Sequence, residues 1–308
     1  MRIVFMGSPD FAIPSLRVLY ESGEKIDAVI TQPDRKKGRG LTLTPPPVKL
    51  EAEKIGLPVY QPEKIREKEF IELIGSFNMD AIIVVAYGQI LPEEILRIPK
   101  YGCINLHGSL LPRYRGAAPI QWALIKGEKK TGVTTILMDK GMDTGDILFQ
   151  EESDIDQQDT AGTLSGKLST IGASLLLKTI RGLERGEIKP YQQDHSLATY
   201  APILKKEDGR IDWTKGAEEI RNQVRGMNPW PGSYTFLEGR LLKIWDVDMV
   251  EGNGGKPGRI NHAGKTGFIV STGKHSLLIK ELQVEGKLRT TSMDFLQGHR
   301  IREGIILG

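Results

Sequence analysis

The chain has 308 residues, 39% of them hydrophobic and 26% charged, and carries a net charge of +3. That length allows two domains with cores of their own, and so small a charge does not by itself announce a nucleic-acid binder. No apolar run is long enough to cross a bilayer, residues 1–7 lack the layout of a signal peptide, and the lone Cys103 excludes an internal disulfide or a Cys-rich metal site, so the expectation is a soluble protein of a reducing cytoplasm.

Residues 2–7 form a short apolar run followed by Ser8, Pro9 and Asp10, and Ile13, Leu16, Leu19 and Tyr20 then recur at helical spacing over 11–21. This strand–turn–helix opening has only Gly7 where a dinucleotide fingerprint needs three glycines, which favours a Rossmann-like unit without a nucleotide. A second strand is expected over 26–30. The segment 32–47 then sets Arg35, Lys36, Lys37 and Arg39 among glycines before a run of prolines. It reads either as a solvated mobile loop or as a basic arm that orders on phosphates. Helical patterns are expected over 48–55 and 65–75, with a strand over 57–60. Residues 80–88 are a continuous β-branched run, the mark of a central strand buried on both faces. It ends in the 87–92 loop, whose Ile90 and Leu91 either pack as ordinary loop residues or wall a pocket.

The most informative stretch is 101–112. Asn105 and His107 alternate with Ile104 and Leu106, so an amide and an imidazole leave one strand face together just before Gly108 and Ser109. Ligands of open α/β sheets sit beyond the carboxyl ends of strands, which is where this pair is expected. Cys103 shares that face at greater depth and reads as a small buried hydrophobe rather than a nucleophile. The following loop packs Arg113, Tyr114, Arg115 and Gly116 between Pro112 and Pro119, a stiff and shaped connection into a helix.

A strand is expected over 131–138. The turn 139–146 follows, with Asp139, Asp143 and Asp146 among bending glycines. The order of an EF-hand is missing and His107 is the nearest histidine, so no metal is expected. After a strand over 147–150, residues 160–185 carry the longest helical pattern, with Leu164, Leu168, Ile171, Leu175, Leu176, Ile180 and Leu183 on one face. Residues 189–202 are polar and irregular, a surface linker, and a new pattern near 207 puts a domain boundary close to Lys205. Beyond it come a helix to about residue 225 and short strands over 234–237, 241–247, 258–261, 267–271 and 276–283, separated by glycines, which suggests a small barrel. Arg225, Lys243, Arg259, Lys265, Lys274, Lys280 and Lys287 make it either a structural cap or an RNA-facing platform.

Residues 105–116, Asn-Leu-His-Gly-Ser-Leu-Leu-Pro-Arg-Tyr-Arg-Gly, resemble the signature of the 10-formyltetrahydrofolate-dependent formyltransferases, and residues 138–147 resemble their second signature, which carries an essential aspartate. Within that superfamily the resemblance is closest to the methionyl-tRNA formyltransferases and covers essentially the whole chain. It implies an α/β fold: a Rossmann-like, mostly parallel sheet domain over 1–204, followed by an OB-like β-barrel over 205–308. It implies formyl transfer from 10-formyltetrahydrofolate, a co-substrate, to the α-amine of methionyl-initiator tRNA. Independently of the resemblance, no metal and no membrane are expected, and the chain is expected to be a monomer. Asn105, His107 and Asp143 would be catalytic. Gln89, Ile90, Leu91, Ser109, Leu110, Leu111, Pro112 and Asp139 would hold the folate, and Arg35, Lys36, Lys37 and Arg39 the tRNA.

The residue types suit that chemistry. An α-amine has a pKa of about 7.7–8.0, and an ester lowers it further, so much of it is already nucleophilic near neutrality. The costly species is the tetrahedral intermediate, whose oxygen turns negative; each donor aimed at it is typically worth about 10²–10³ in rate. Asn105 and His107 supply donors, and Asp143 accepts the other ring N–H and assists proton transfer. The same three residue types resemble those of sugar N-formyltransferases, which makes an amino-sugar acceptor the alternative enzyme. A binding-only RNA module is a further alternative that leaves the three residues unexplained.

Overall fold

In the computed structural model, which describes residues 1–37, 40–252, 255–264, 267–299 and 301–308, the apolar run at the amino terminus lies inside a sheet. In chain order the elements are β1 (Arg2–Gly7), α1 (Ile13–Glu21), β2 (Lys25–Ile30), β3 (Arg35–Lys37), β4 (Thr42–Thr44), α2 (Pro47–Lys54), β5 (Val59–Tyr60) and α3 (Lys68–Ser76). There follow β6 (Ala81–Val85), α4 (Glu93–Leu96), β7 (Cys103–His107), α5 (Pro119–Ile125), β8 (Lys130–Leu137), β9 (Asp146–Asp154) and α6 (Ala161–Glu184).

The 7-stranded sheet runs β5-β2-β1-β6-β7-β8-β9. From β5 to β7 the neighbours are parallel, whereas β8 and β9 are antiparallel to what precedes them. Its strands are apolar because both faces are covered: every residue of β6 is buried. On one face Ile74 and Ile95, from α3 and α4, pack on Val4, Met6, Ile82, Val84 and Cys103. Fully burying a side chain of this size is worth about 1.5–3 kcal/mol. On the other face α6 crosses β7 at Gly172, where an added Cβ would stand 2.7 Å from Leu106 Cδ2, so the glycine permits the close approach.

The basic segment expected to be a loop forms a hairpin instead, with Arg35 opposite Thr44 and Lys37 opposite Thr42. Its base is tied by Lys49, whose ammonium donates to both oxygens of Asp34 at 3.0 and 2.9 Å and to Gln61 at 2.8 Å.

The remaining elements are α7 (Ala217–Gly226), β10 (Ser233–Leu237), β11 (Arg240–Val250), β12 (Ile260–Gly264), β13 (Gly267–Ser271), β14 (Ser276–Val284), β15 (Thr290–Thr291) and α8 (Ser292–Gly298). The strands make an antiparallel sheet in the order β10-β11-β14-β13-β12, with β15 on β14. Its register shifts within β11 and β12, which bends the strands around a core of Trp213, Ile220, Val224, Ile244, Phe268, Ile279 and Phe295.

The described residues divide into two compact units, residues 1–119, 130–154 and 165–201 in one, and 120–129, 155–164 and 202–308 in the other. Two segments on the amino-terminal side of the expected 204/205 boundary thus fall in the second unit. Packing explains it. At Gly226 of α7 an added Cβ would lie 2.6 Å from Ile125 Cγ1, and the Arg225 guanidinium donates to the carbonyls of Asp156 and Asp159 at 2.6 and 2.8 Å.

Candidate active site

Strand alternation on β7 turns Asn105 and His107 away from Leu106 and α6, with Cys103 behind them in the core. Burial pushes the Cys103 thiol up to about 12, and its sulfur faces the Ile95 carbonyl at 3.8 Å, consistent with a packing role.

Asp143 arrives by a route that strand order alone does not suggest. β8 is antiparallel to β7, with Ile104 opposite Leu137 and His107 opposite Thr134, so the 138–145 loop leaves β8 at the amino end of β7. It then folds back toward the side chains of Asn105 and His107 instead of meeting them beyond the carboxyl end. The loop is tight: an added Cβ on Gly145 would sit 1.9 Å from the Leu137 carbonyl oxygen. Asp139 Oδ1 accepts the Gly141 N–H at 2.9 Å and the Thr144 hydroxyl at 2.6 Å, which closes the turn. Asp143 itself stands at φ 53°, in the left-handed region.

Its carboxylate gathers the site. Oδ1 lies 3.4 Å from the Asn105 amide nitrogen, which donates to it, and 3.6 Å from His107 Nδ1. Oδ2 accepts the Gly116 N–H at 2.8 Å. Nε2 of His107 is 2.9 Å from the Tyr114 carbonyl, which can only accept, so that nitrogen carries a proton. Residue type alone assigns one ring nitrogen to the substrate and the other to Asp143; in the structure the nitrogen away from Asp143 is engaged by Tyr114. Nδ1 faces the carboxylate, and it donates only when both ring nitrogens are protonated.

Two further residues belong to this cluster. Arg115, which is 3% exposed, donates through Nε and Nη2 to Gln193 Oε1 at 3.2 and 2.6 Å. Gln193, 5% exposed, donates through Nε2 to the carbonyls of Asp143 and Gly145 at 2.9 and 2.7 Å. Arg115 sits in the quoted signature, so its motif was a signal. Gln193 lies in a segment that reads as a linker and carries none.

The other expected site residues are placed as follows. Ile90 is exposed, whereas Leu91, Ser109 and Leu111 are buried, Leu111 against Ile136 and Ile147. Leu110 and Pro112 are half-buried. Gln89 is bound to the 62–65 loop, accepting the Ile65 N–H at 2.9 Å. Ser109 donates to the Arg113 carbonyl at 2.6 Å. Lys36 is exposed; Arg35 is exposed beside Glu63 at 3.2 Å; Lys37 contributes its backbone to β3; Arg39 lies outside the described residues, as does Lys265. On the second unit Lys280 is paired with Asp246 and Asp248 at 3.1 and 3.3 Å, and Lys243 lies over the Trp245 ring. Among the described residues no group of three or more His, Cys, Asp or Glu gathers as a metal ion would need, and no helix is long and apolar enough to cross a membrane.

Comparison with known proteins bears on this arrangement. The family described as "Formyl transferase" matches residues 1–180, and "Formyl transferase, C-terminal domain" matches 203–300. A methionyl-tRNA formyltransferase of Citrifermentans bemidjiense is 54% identical over 308 residues, 100% of this chain and 96% of that one. This chain belongs to the methionyl-tRNA formyltransferase family. Another member, from Pelotomaculum thermopropionicum, is 50% identical over 100% of this chain and 99% of its own. Among solved structures the sugar 3N-formyl transferase WlaRD, crystallised in the presence of dTDP and 5-N-formyl-THF, aligns with a TM-score of 0.70 at 22% identity, covering 94% of this chain and 99% of its own. That last likeness carries the fold: a two-domain formyltransferase architecture, α/β and then β-rich.

Proposed function

We propose that this protein transfers the formyl group of 10-formyltetrahydrofolate to the α-amine of methionyl-initiator tRNA, yielding N-formylmethionyl-tRNA for translation initiation. Residues 1–204 act as the formyltransferase domain, and the β-rich part from 205 on acts as an OB-like barrel turned to RNA. The formyl-transfer step is supported by one observation, a carboxylate 3.4 Å from an amide nitrogen and 3.6 Å from a ring nitrogen, all three buried or nearly so, and the choice of acceptor by the full-length likeness to methionyl-tRNA formyltransferases.

The neutral α-amine attacks the formyl carbon. A C–N bond forms and the carbonyl π pair moves to oxygen. Asn105 and the Nδ1–H of a doubly protonated His107 donate to that oxygen, and Asp143 stabilises the cationic ring. The extra proton of the attacking nitrogen passes through Asp143, directly or by way of water, to the folate nitrogen. The oxyanion pair then re-forms the carbonyl as the carbon–nitrogen bond to the protonated folate nitrogen breaks, and the electron pair of that bond leaves with the nitrogen as a neutral amine. Because nitrogen displaces nitrogen directly, no covalent enzyme intermediate is needed. The Nε2–H bond to Tyr114 keeps the ring from rotating while its other edge does this work. The folate lies against the 89–92 loop, the 109–112 turn and the 139–146 loop, and the Arg35, Lys36, Lys37 and Arg39 hairpin takes the tRNA phosphates.

The test is acceptor choice. Enzyme and 10-formyltetrahydrofolate are incubated separately with initiator Met-tRNA, uncharged tRNA and a dTDP-linked amino sugar, following tetrahydrofolate release and formyl-methionine by chromatography. Release with Met-tRNA alone is expected. Formylation of the amino sugar in its place would overturn the assignment.

A further inference from the structure

Asp143 is held at both ends by one short segment. The Gly116 N–H grips its carboxylate, and the neighbouring Arg115 reaches its main-chain carbonyl through Gln193. The Gln193 amide has no slack. Its nitrogen serves the carbonyls of Asp143 and Gly145, and its oxygen serves both Nε and Nη2 of Arg115. Arg115 Nη2 is further anchored by donating to His195 Nδ1 at 2.9 Å. The backbone of the same stretch is paired with the 199–201 segment: Arg115 N donates to the Thr199 carbonyl and Ala201 N to the Arg115 carbonyl, at 2.8 and 2.7 Å. An aspartate at φ 53° is in a conformation that L-residues leave unless their surroundings hold them. The carbonyls gripped by Gln193 are those of that residue and of Gly145, two positions on.

We propose that Gln193, locked by Arg115, is a positioning residue for formyl transfer: it holds the Asp143 backbone in its left-handed turn and so sets the aim of the carboxylate at Asn105 and His107. Its role rests on the reading of Asp143 given above. Gln193 touches no reacting atom; it acts through Asp143.

Gln193→Glu is nearly isosteric and keeps the acceptor for Arg115, but it removes both donors and sets an oxygen against two carbonyl oxygens. The expected result is a kcat at least tenfold lower, with KM for 10-formyltetrahydrofolate and for Met-tRNA within twofold of wild type. In the Asp143→Asn background the same change lowers single-turnover rate by less than twofold, because the group it aims is already gone. A purely structural role would lower the folded fraction and multiply with Asp143→Asn. Arg115→Lys attacks the brace from its other end, should Gln193→Glu not fold, and is expected to show the same split. Turnover within twofold of wild type, a raised KM at unchanged kcat, or losses that multiply in the double variant would each overturn the brace. A wild-type enzyme that formylates no Met-tRNA would sink the functional reading instead, so the two failures are told apart.

Discussion

Replacing Asp143 with asparagine keeps the shape of the side chain and an oxygen for the Gly116 N–H, but removes the negative charge 3.6 Å from His107 Nδ1. The two side chains are only 6% and 16% exposed, so solvent screens the pair weakly. At an effective dielectric near 20, unit charges at that spacing attract by about 4 to 5 kcal/mol. That attraction is available only when the ring is cationic, the state in which Nδ1 can donate to the developing oxyanion. Losing most of it corresponds to roughly two to three decades in rate. The asparagine amide adds a second penalty if its nitrogen turns toward the Asn105 amide, donor against donor. The assay is single-turnover formylation of initiator Met-tRNA by quenched flow, with thermal melting to confirm that the variant folds. A fall in rate of about 10²–10³ with little change in Tm is expected. A rate within fivefold of wild type would refute the proposition that this carboxylate supports a charged ring in the transition state.

The basic hairpin makes a separable claim: Arg35→Ala and Lys36→Ala should each raise KM for Met-tRNA and lower the slope of log affinity against log salt by about 1, leaving KM for the folate unchanged. Cys103→Ala should turn over within twofold of wild type, and the native thiol, pushed up to about 12 by burial, should resist alkylation at pH 8 until the chain is unfolded. Arg17 donates to both oxygens of Glu51 at 2.6 and 2.8 Å and holds that carboxyl below its usual range. A depressed native pKa stabilises above the unfolded value and is lost as pH falls through the native one. The Tm gap between wild type and Glu51→Gln should therefore be open at pH 7 and close below about pH 4; a gap independent of pH would show that the pair is not what stabilises α1 against α2.

Local pattern in the chain was enough for much of the architecture. Residues 80–88 announced a buried central strand because β-branched runs suit a sheet covered on both faces, and β6 is that strand. The leucine and isoleucine spacing over 160–185 announced α6, observed at Ala161–Glu184, because helical periodicity is written within a few residues. Alternation put Asn105 and His107 on one face of β7 for the same reason: side-chain direction on a strand has period two. Tertiary structure decided what depends on partners far apart. The β3–β4 hairpin needed Arg35 to find Thr44 across glycines that read as loop. Segments 120–129 and 155–164 joined the second unit because α7 packs on them, and no boundary signal in composition records that. The approach of Asp143 from the amino end of β7 followed from β8 running antiparallel, a matter of sheet order. Arg115 and Gln193 are 78 positions apart, and Gln193 and Asp143 are 50 apart. Periodicity and turn chemistry reach only a few residues along the chain, whereas a buried donor takes whichever acceptor the completed fold sets within 3 Å, and for that reason the brace behind Asp143 could be read only from the folded protein.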